Sequence, residues 1–316
     1  MKLNKLFIIL FAATFLFFIG CDEEDDINEF EILVEYLEGD DGGYINNMGT
    51  FYVKYADINT DDYFVLDLRG VDDYNTYHIQ DAFNATLGTM FDVIEDNNTS
   101  GKTVLTVCYS GQSASFAQAI LNIKDIPAKL LLFGMSSVRV ENDVWTGNCH
   151  NKVEMGADSV NWVYTASGSL LSFDYPTLDT GEEEAEDILD ARIDAAIAAW
   201  GDGLLVAGSD ILTDPVGYNI INYWGTTDAY HTGNPYETLG HFDGALQMTP
   251  GTLTMDGNLS AFDPAGGNIF YCWTGQTAAA ALAYLNIVGY ETKSVKYGVN
   301  SMIWDKLGGH KWSKPY

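Results

Sequence analysis

Cys108-Tyr-Ser-Gly-Gln-Ser-Ala114 and Cys272-Trp-Thr-Gly-Gln-Thr-Ala278 are one heptapeptide written twice. The shared pattern is Cys, aromatic, Ser or Thr, Gly, Gln, Ser or Thr, Ala. A strand-like run precedes each copy, Thr103 to Val107 and Asn268 to Tyr271, and an alanine-bearing helical run follows, Ser115 to Leu121 and Ala279 to Leu285. A cysteine on a turn between a strand and a helix start has the geometry of a reactive thiol. The helix N-terminus offers it unpaired N–H groups and the positive end of a dipole.

The repetition extends outward on both sides. His78-Ile-Gln-Asp-Ala82 begins 30 residues before Cys108, and His241-Phe-Asp-Gly-Ala245 begins 31 residues before Cys272. Gly134 and Gly298 each end an apolar run 26 residues after their cysteine. Matched spacing over this length indicates duplication of a whole domain rather than a solenoid of short units. Within the first copy, Tyr63 to Asp67, Thr103 to Val107 and Lys129 to Phe133 read as buried strands separated by helical runs. That alternation predicts an α/β fold, two domains each with a mainly parallel sheet flanked by helices. In such sheets the reactive residues sit at the carboxyl ends of strands, where Cys108 and Cys272 both fall.

With these residues in place the chain resembles a tandem rhodanese-like protein. The resemblance rests on Asp67-Leu-Arg69, His78-Ile-x-x-Ala82, the Cys108 loop and Gly134 in the first copy. In the second it rests on His241 to Ala245, the Cys272 loop, and Gly298 with Trp304. It implies a sulfurtransferase in which one or both of the loop cysteines, Cys108 and Cys272, carry sulfane sulfur as a persulfide. The partners implied are a small sulfur donor and a thiol or other nucleophilic acceptor, with no cofactor. The second copy departs from the pattern by placing Asn222-Tyr-Trp224 where the first has Asp67-Leu-Arg69. Neither loop holds Lys or Arg, the residues that thiosulfate-preferring members usually carry there. Thiosulfate is therefore expected to be the poorer donor.

The loops have a physical reading of their own. A loop curled around a sulfur turns successive N–H groups inward, stabilising a thiolate or persulfide without a basic side chain. Gly111 and Gly275 permit the tight conformation this needs. Ser110, Ser113, Thr274 and Thr277 can add hydroxyl donors, and Gln112 and Gln276 recur between them. Ala114 and Ala278 let the next helix approach, while Tyr109 and Trp273 would wall the pocket. His78 and His241 are expected to be structural, and Asp67 with Arg69 to form an ion pair ordering the strand end. The bland alternative makes each cysteine a small buried hydrophobe.

Composition bounds the rest. The chain has 316 residues, 47% of them apolar, enough for two packed domains. It carries 15 basic against 45 acidic residues, a net charge of −30. Such a surface repels nucleic acid, whose binding needs clustered cations. Residues 1–20 read as a signal, with Lys2 and Lys5 before an apolar run too short to span a bilayer. Gly20-Cys21 then resembles a bacterial lipobox, implying lipidation of Cys21 and an extracytoplasmic protein anchored to a membrane. Residues 21–47 read as an acidic tether, 48–150 as the first domain, 151–199 as a connector with a helix over Ile188 to Trp200, and 200–316 as the second domain. Of four cysteines only Cys149 is left without a role. The five histidines show no metal-ligand spacing.

Three function classes follow: an anchored sulfurtransferase, a non-catalytic rhodanese-like binding module at the cell envelope, and a phosphatase of the Cys-x5-Arg type. The last needs an arginine six residues after the cysteine to hold a phosphoryl dianion. Ala114 and Ala278 occupy that place.

Overall fold

A computed structural model describes residues 27–39, 45, 48, 51–154 and 157–316. Cys21, the expected lipidation site, lies outside the described residues. Among those described, no helix is long and apolar enough to cross a membrane.

Helix α1 (Glu29–Glu38) leads into a first sheet of β1 (Tyr52–Val53), β2 (Tyr63–Asp67), β3 (Phe83–Asn84), β4 (Thr103–Val107) and β5 (Ala128–Leu131). Helices α2 (Val71–Thr76), α3 (Met90–Asn97) and α4 (Gln112–Ile123) lie in its crossovers. β6 (Trp162–Val163) and α5 (Ala185–Gly203) then lead to a second sheet. That sheet comprises β7 (Leu205–Val206), β8 (Asn219–Tyr223), β10 (Leu246–Met248), β11 (Asn268–Tyr271) and β12 (Thr292–Val295). Around it run α6 (Gly208–Thr213), α7 (Pro235–Leu239), β9 (His241–Phe242) and α8 (Gln276–Ile287).

Both sheets are wholly parallel, and their orders are the same. The first runs β1-β5-β4-β2-β3 and the second, in corresponding positions, β7-β12-β11-β8-β10. Register matches as well: Asp67 lies opposite Val107, and Asn222 opposite Tyr271. The next residue in each case is the loop cysteine. The expected two-domain α/β architecture is what the chain adopts.

The central strands are buried on both sides, which explains their nearly continuous apolar runs. Phe64, Leu66 and Val104 face one core, while Val65, Leu105 and Val107 face another. The first of these cores is shared between domains. It also takes in Phe116 and Ile120 of α4, Leu282 and Leu285 of α8, and Ile188, Leu189 and Ile193 of α5. From Ala278 to Ile287 every residue of α8 is buried, and its run of alanines keeps the helix slim where α4 packs on it. A helix apolar on all sides belongs in an interior. Each fully buried leucine there contributes about 1.5–3 kcal/mol of burial free energy.

Two segments differ from expectation. The stretch 21–47, read as a solvated tether, contains α1, which buries Phe30, Leu33 and Val34 in the shared core. The buried Glu29 carboxylate accepts bonds from Thr180 N–H (2.8 Å), Thr180 Oγ1–H (2.8 Å) and Gly181 N–H (3.0 Å). The connector 151–199 is likewise part of the second domain. β6 pairs antiparallel with β9, and Trp162 Nε1–H donates to the Leu239 carbonyl at 3.0 Å. Its helix begins three residues earlier than the apolar spacing suggested, with Glu186 and Asp187 in the first turn.

Candidate active site

Each loop cysteine stands at the carboxyl end of its central strand and at the start of the following helix. Gly111 (φ 89°) and Gly275 (φ 74°) take left-handed conformations at the helix N-caps, which turns the loop back over the sulfur. Gly111 N–H and Ala114 N–H donate to Cys108 Sγ at 3.1 and 3.4 Å. Ala278 N–H donates to Cys272 Sγ at 3.4 Å. Burial pushes the Cys272 thiol up, and the N–H groups of Ala278, Thr274, Gly275 and Thr277 pull against it without fully offsetting it. Both sulfurs lie deep, at 1% and 2% residue exposure. The N–H cradle expected from the heptapeptide is therefore present in both copies.

A second loop latches each cradle. Met135 N–H donates to the Cys108 carbonyl (2.8 Å), and Val299 N–H to that of Cys272 (3.2 Å). Ser136 Oγ–H donates to Tyr109 O at 2.9 Å, and Asn300 Nδ2–H to Trp273 O at 2.8 Å. Gly134 and Gly298 sit so close to the cysteine carbonyl that a Cβ would have no room. That close approach explains the shared spacing of 26 residues.

The loop glutamines reach across the domain boundary. Gln276 Oε1 accepts from Phe133 N–H of the first domain at 2.8 Å. Gln112 Oε1 accepts from Tyr297 N–H of the second at 3.1 Å. Phe133 and Tyr297 are the equivalent left-handed residues before Gly134 and Gly298. Ser115 Oγ–H adds a bond to the Gln276 carbonyl at 2.6 Å. Each cradle is thus tied to the latch of the other. Repetition of the glutamine was visible in the sequence; its reach was not.

Asp67 and Arg69 form the expected ion pair, fully buried, with Nη2 to Oδ2 at 2.7 Å. Arg69 also donates to Tyr77 O, and Asn84 Nδ2–H to the carbonyls of Asp67 and Arg69. This fixes the turn against which Tyr109 rests: its hydroxyl donates to Asp73 (2.5 Å) and accepts from Gly70 N–H (3.2 Å). In the second copy Trp224 replaces Arg69 and stacks on Trp273 at 4.1 Å. An aromatic pair does there what a cation and a phenol do in the first copy. His78 stacks on Tyr74 and His241 on Tyr236, each bonded to backbone carbonyls, as structural residues would be.

Cys272, Trp273, Thr274, Gln276 and Thr277 line a cavity of about 360 Å³. Its other wall comes from the first domain, through Ser115, Leu130, Leu132, Phe133 and Lys54, and from the chain's last turns, through His310 and Lys311. Two lysines from outside the loop are thus among the lining residues, and the Lys311 ammonium lies over the Trp304 ring at 3.8 Å. Cys108 packs against Leu68, Ala114 and Leu130, and Cys272 belongs to the shared core. Trp145 is pinned to its loop by Nε1–H to Ser110 O (3.0 Å) and meets Tyr297, Phe133 and Trp312 ring to ring. Cys149 is half-buried, its thiol pushed up to about 12 by burial and then by Asp143. Lys54, Lys311, His310 and Trp145 gave no sequence signal, because none belongs to the repeat.

No curated protein matches the chain. Among solved structures it is similar to a rhodanese-related protein from Thermoplasma volcanium, at 19% identity over 27% of this chain and 85% of that one, with a TM-score of 0.24. It is similar to a thiosulfate sulfurtransferase from Pseudomonas aeruginosa at 16% identity and a TM-score of 0.28, over 91% of this chain but only 49% of that one. A 3-mercaptopyruvate sulfotransferase from Escherichia coli aligns at 13% identity and a TM-score of 0.24, over 84% of this chain and 100% of that one. A family model also matches: residues 53–141, which hold the Cys108 loop, match the rhodanese-like domain.

Proposed function

We propose that this protein is a sulfurtransferase that moves sulfane sulfur through a persulfide on Cys272 to a thiol or other nucleophilic acceptor. The observation that carries the reading is the Cys272 sulfur, set among inward-turned N–H groups at the edge of a cavity that also holds two lysines. The ionised sulfur attacks the outer sulfur of the donor. The donor's bond to that sulfur breaks, and its electron pair leaves with the rest of the donor. The persulfide's terminal sulfur then takes up the inward N–H groups. An acceptor thiolate attacks that sulfur in turn, and Cys272 Sγ is released with the electron pair of the broken S–S bond. No net oxidation occurs.

Lys54 and Lys311 favour an anionic donor at this cavity, despite the neutral loop and the acidic surface. The Cys108 copy, with Trp145 bonded to its loop, serves mainly as the wall against which the Cys272 site is built. A purely binding role suits that first copy better than it suits the second. The proposal includes residence outside the cytoplasm on a lipid anchor at Cys21, with no nucleic-acid partner.

The test is direct. Purified protein is incubated with thiosulfate, 3-mercaptopyruvate or polysulfide, and its intact mass is measured. Gain of the mass of one sulfur atom, mapped to the Cys272 peptide, is expected. No gain with any of the three donors contradicts the proposal.

A further inference from the structure

Beside the Cys272 cavity lies a buried carboxylate gripped by two imidazoles. Asp228 has a side chain only 9% exposed. Its Oδ2 lies 2.7 Å from His231 Nδ1, and its Oδ1 lies 2.8 Å from His310 Nε2. Tyr230 N–H donates to Oδ2 at 2.8 Å. Gly308 N–H donates to His231 Nε2 at 3.0 Å. That bond makes Nε2 an acceptor, so His231 carries its proton on Nδ1. The same rule applied to His310 puts a proton on Nε2, facing Asp228. Its Nδ1 has no hydrogen-bond partner among the described residues, and His310 lines the same cavity as Cys272. Both rings lie nearly parallel to Trp273, the residue after the cysteine, at 5.4 and 5.0 Å. His310 also holds a left-handed backbone, φ 50°, which a non-glycine residue adopts at a cost and which clusters at functional sites.

We propose that His310, oriented by Asp228, is the acid–base residue of the Cys272 cavity: its Nδ1 takes the proton of an incoming acceptor thiol and passes it to Cys272 Sγ as that sulfur is released. This rests on the sulfurtransferase reading above. The step balances. The acceptor R–SH gives its proton to His310, and the R–S⁻ so formed attacks the terminal sulfur of the ionised persulfide. The S–S bond breaks, giving R–S–S⁻ and the Cys272 thiolate, which takes the proton from the imidazolium. A free thiol is mostly protonated at neutral pH, while the thiolate is the nucleophile, so a base shortens the slow step. Burial raises the Cys272 thiol, so the released sulfur is a good proton acceptor. The other groups facing the cavity are less suited. Lys54 and Lys311 as ammonium ions have no lone pair, and the Tyr230 ring meets His310 edge-on. His231 has both nitrogens engaged.

The positive φ makes a clean test available. His310→Gly and His310→Asn both tolerate the left-handed backbone, and the glycine variant leaves room for added imidazole. The full chain is loaded with polysulfide and then mixed with 2-mercaptoethanol, and mass spectrometry follows gain and loss of sulfur on Cys272. In both variants discharge is expected to slow by about 10²-fold more than loading does. Imidazole is expected to restore discharge in His310→Gly. Discharge slowed no more than loading, or slowed without rescue by imidazole, overturns the inference alone. No loading of the unaltered protein overturns the sulfurtransferase reading and this inference with it.

Discussion

Lys54 and Lys311 are the cationic residues lining the Cys272 cavity, whose loop itself holds no Lys or Arg. Lys54 lies next to β1 in the first domain, and Lys311 lies near the end of the chain. A partly exposed cation facing an anion is worth about 1 kcal/mol, or about fivefold in affinity. Lys311→Ala and Lys54→Ala are each expected to raise KM for 3-mercaptopyruvate by about fivefold, with a smaller change in kcat. Steady-state kinetics at low salt check this, and added salt is expected to shrink the difference. An unchanged KM in both variants would remove the lysines from the donor site. These two cations were invisible in the sequence for a physical reason. A motif reports residues that share a local backbone, and the cavity is closed by residues distant in the chain.

At the level of elements, α4 and α8 carry the two cradles into contact, and the crossed glutamines lock them. Gln276→Ala leaves the Phe133 N–H unpaired at a largely buried boundary, which costs about 1–3 kcal/mol. Chemical denaturation is expected to show that loss, and Gln112→Ala a comparable one at Tyr297. The double variant is expected to cost less than the sum, since both bonds hold the same interface. Strict additivity would mean the two cradles are independent. Helix α1 makes a separate prediction. Burial alone would raise the Glu29 carboxyl, but bonds from Thr180 and Gly181 more than offset it and hold the folded value low. A depressed folded value adds stability above the unfolded one, near 4.3 for glutamate, and that stability is lost as pH falls through the folded value. The Tm difference between the unaltered protein and Glu29→Gln is therefore expected to be largest near neutrality and to shrink below about pH 4. A difference independent of pH would contradict the role given to that carboxylate. The acidic run Asp22 to Asp26 and the glycines up to Gly43 give this stretch the composition of a tether, which hides helix α1. The apolar stripe of Phe30, Leu33 and Val34 has helical spacing and shows which face is buried.

On the scale of the whole molecule, duplication made the fold legible and left the division of labour open. The matched heptapeptides, the spaced glycines and the strand runs foretold two parallel sheets with a cysteine at the end of each central strand. They could not tell the copies apart, because Tyr/Trp and Ser/Thr exchanges leave both cradles alike. Trp145 is bonded to the Cys108 loop and meets Tyr297 edge-on, and Cys272 lines a cavity walled by both domains and by the chain's last turns. The most direct measurement is therefore a pair of single substitutions, Cys108→Ser and Cys272→Ser, assayed with one donor and one acceptor. Persulfide on each remaining cysteine is mapped by mass. The account predicts that Cys272→Ser abolishes turnover and that Cys108→Ser keeps most of it, with persulfide on Cys272. Turnover that survives in Cys272→Ser and disappears in Cys108→Ser, with persulfide only on Cys108, would contradict it.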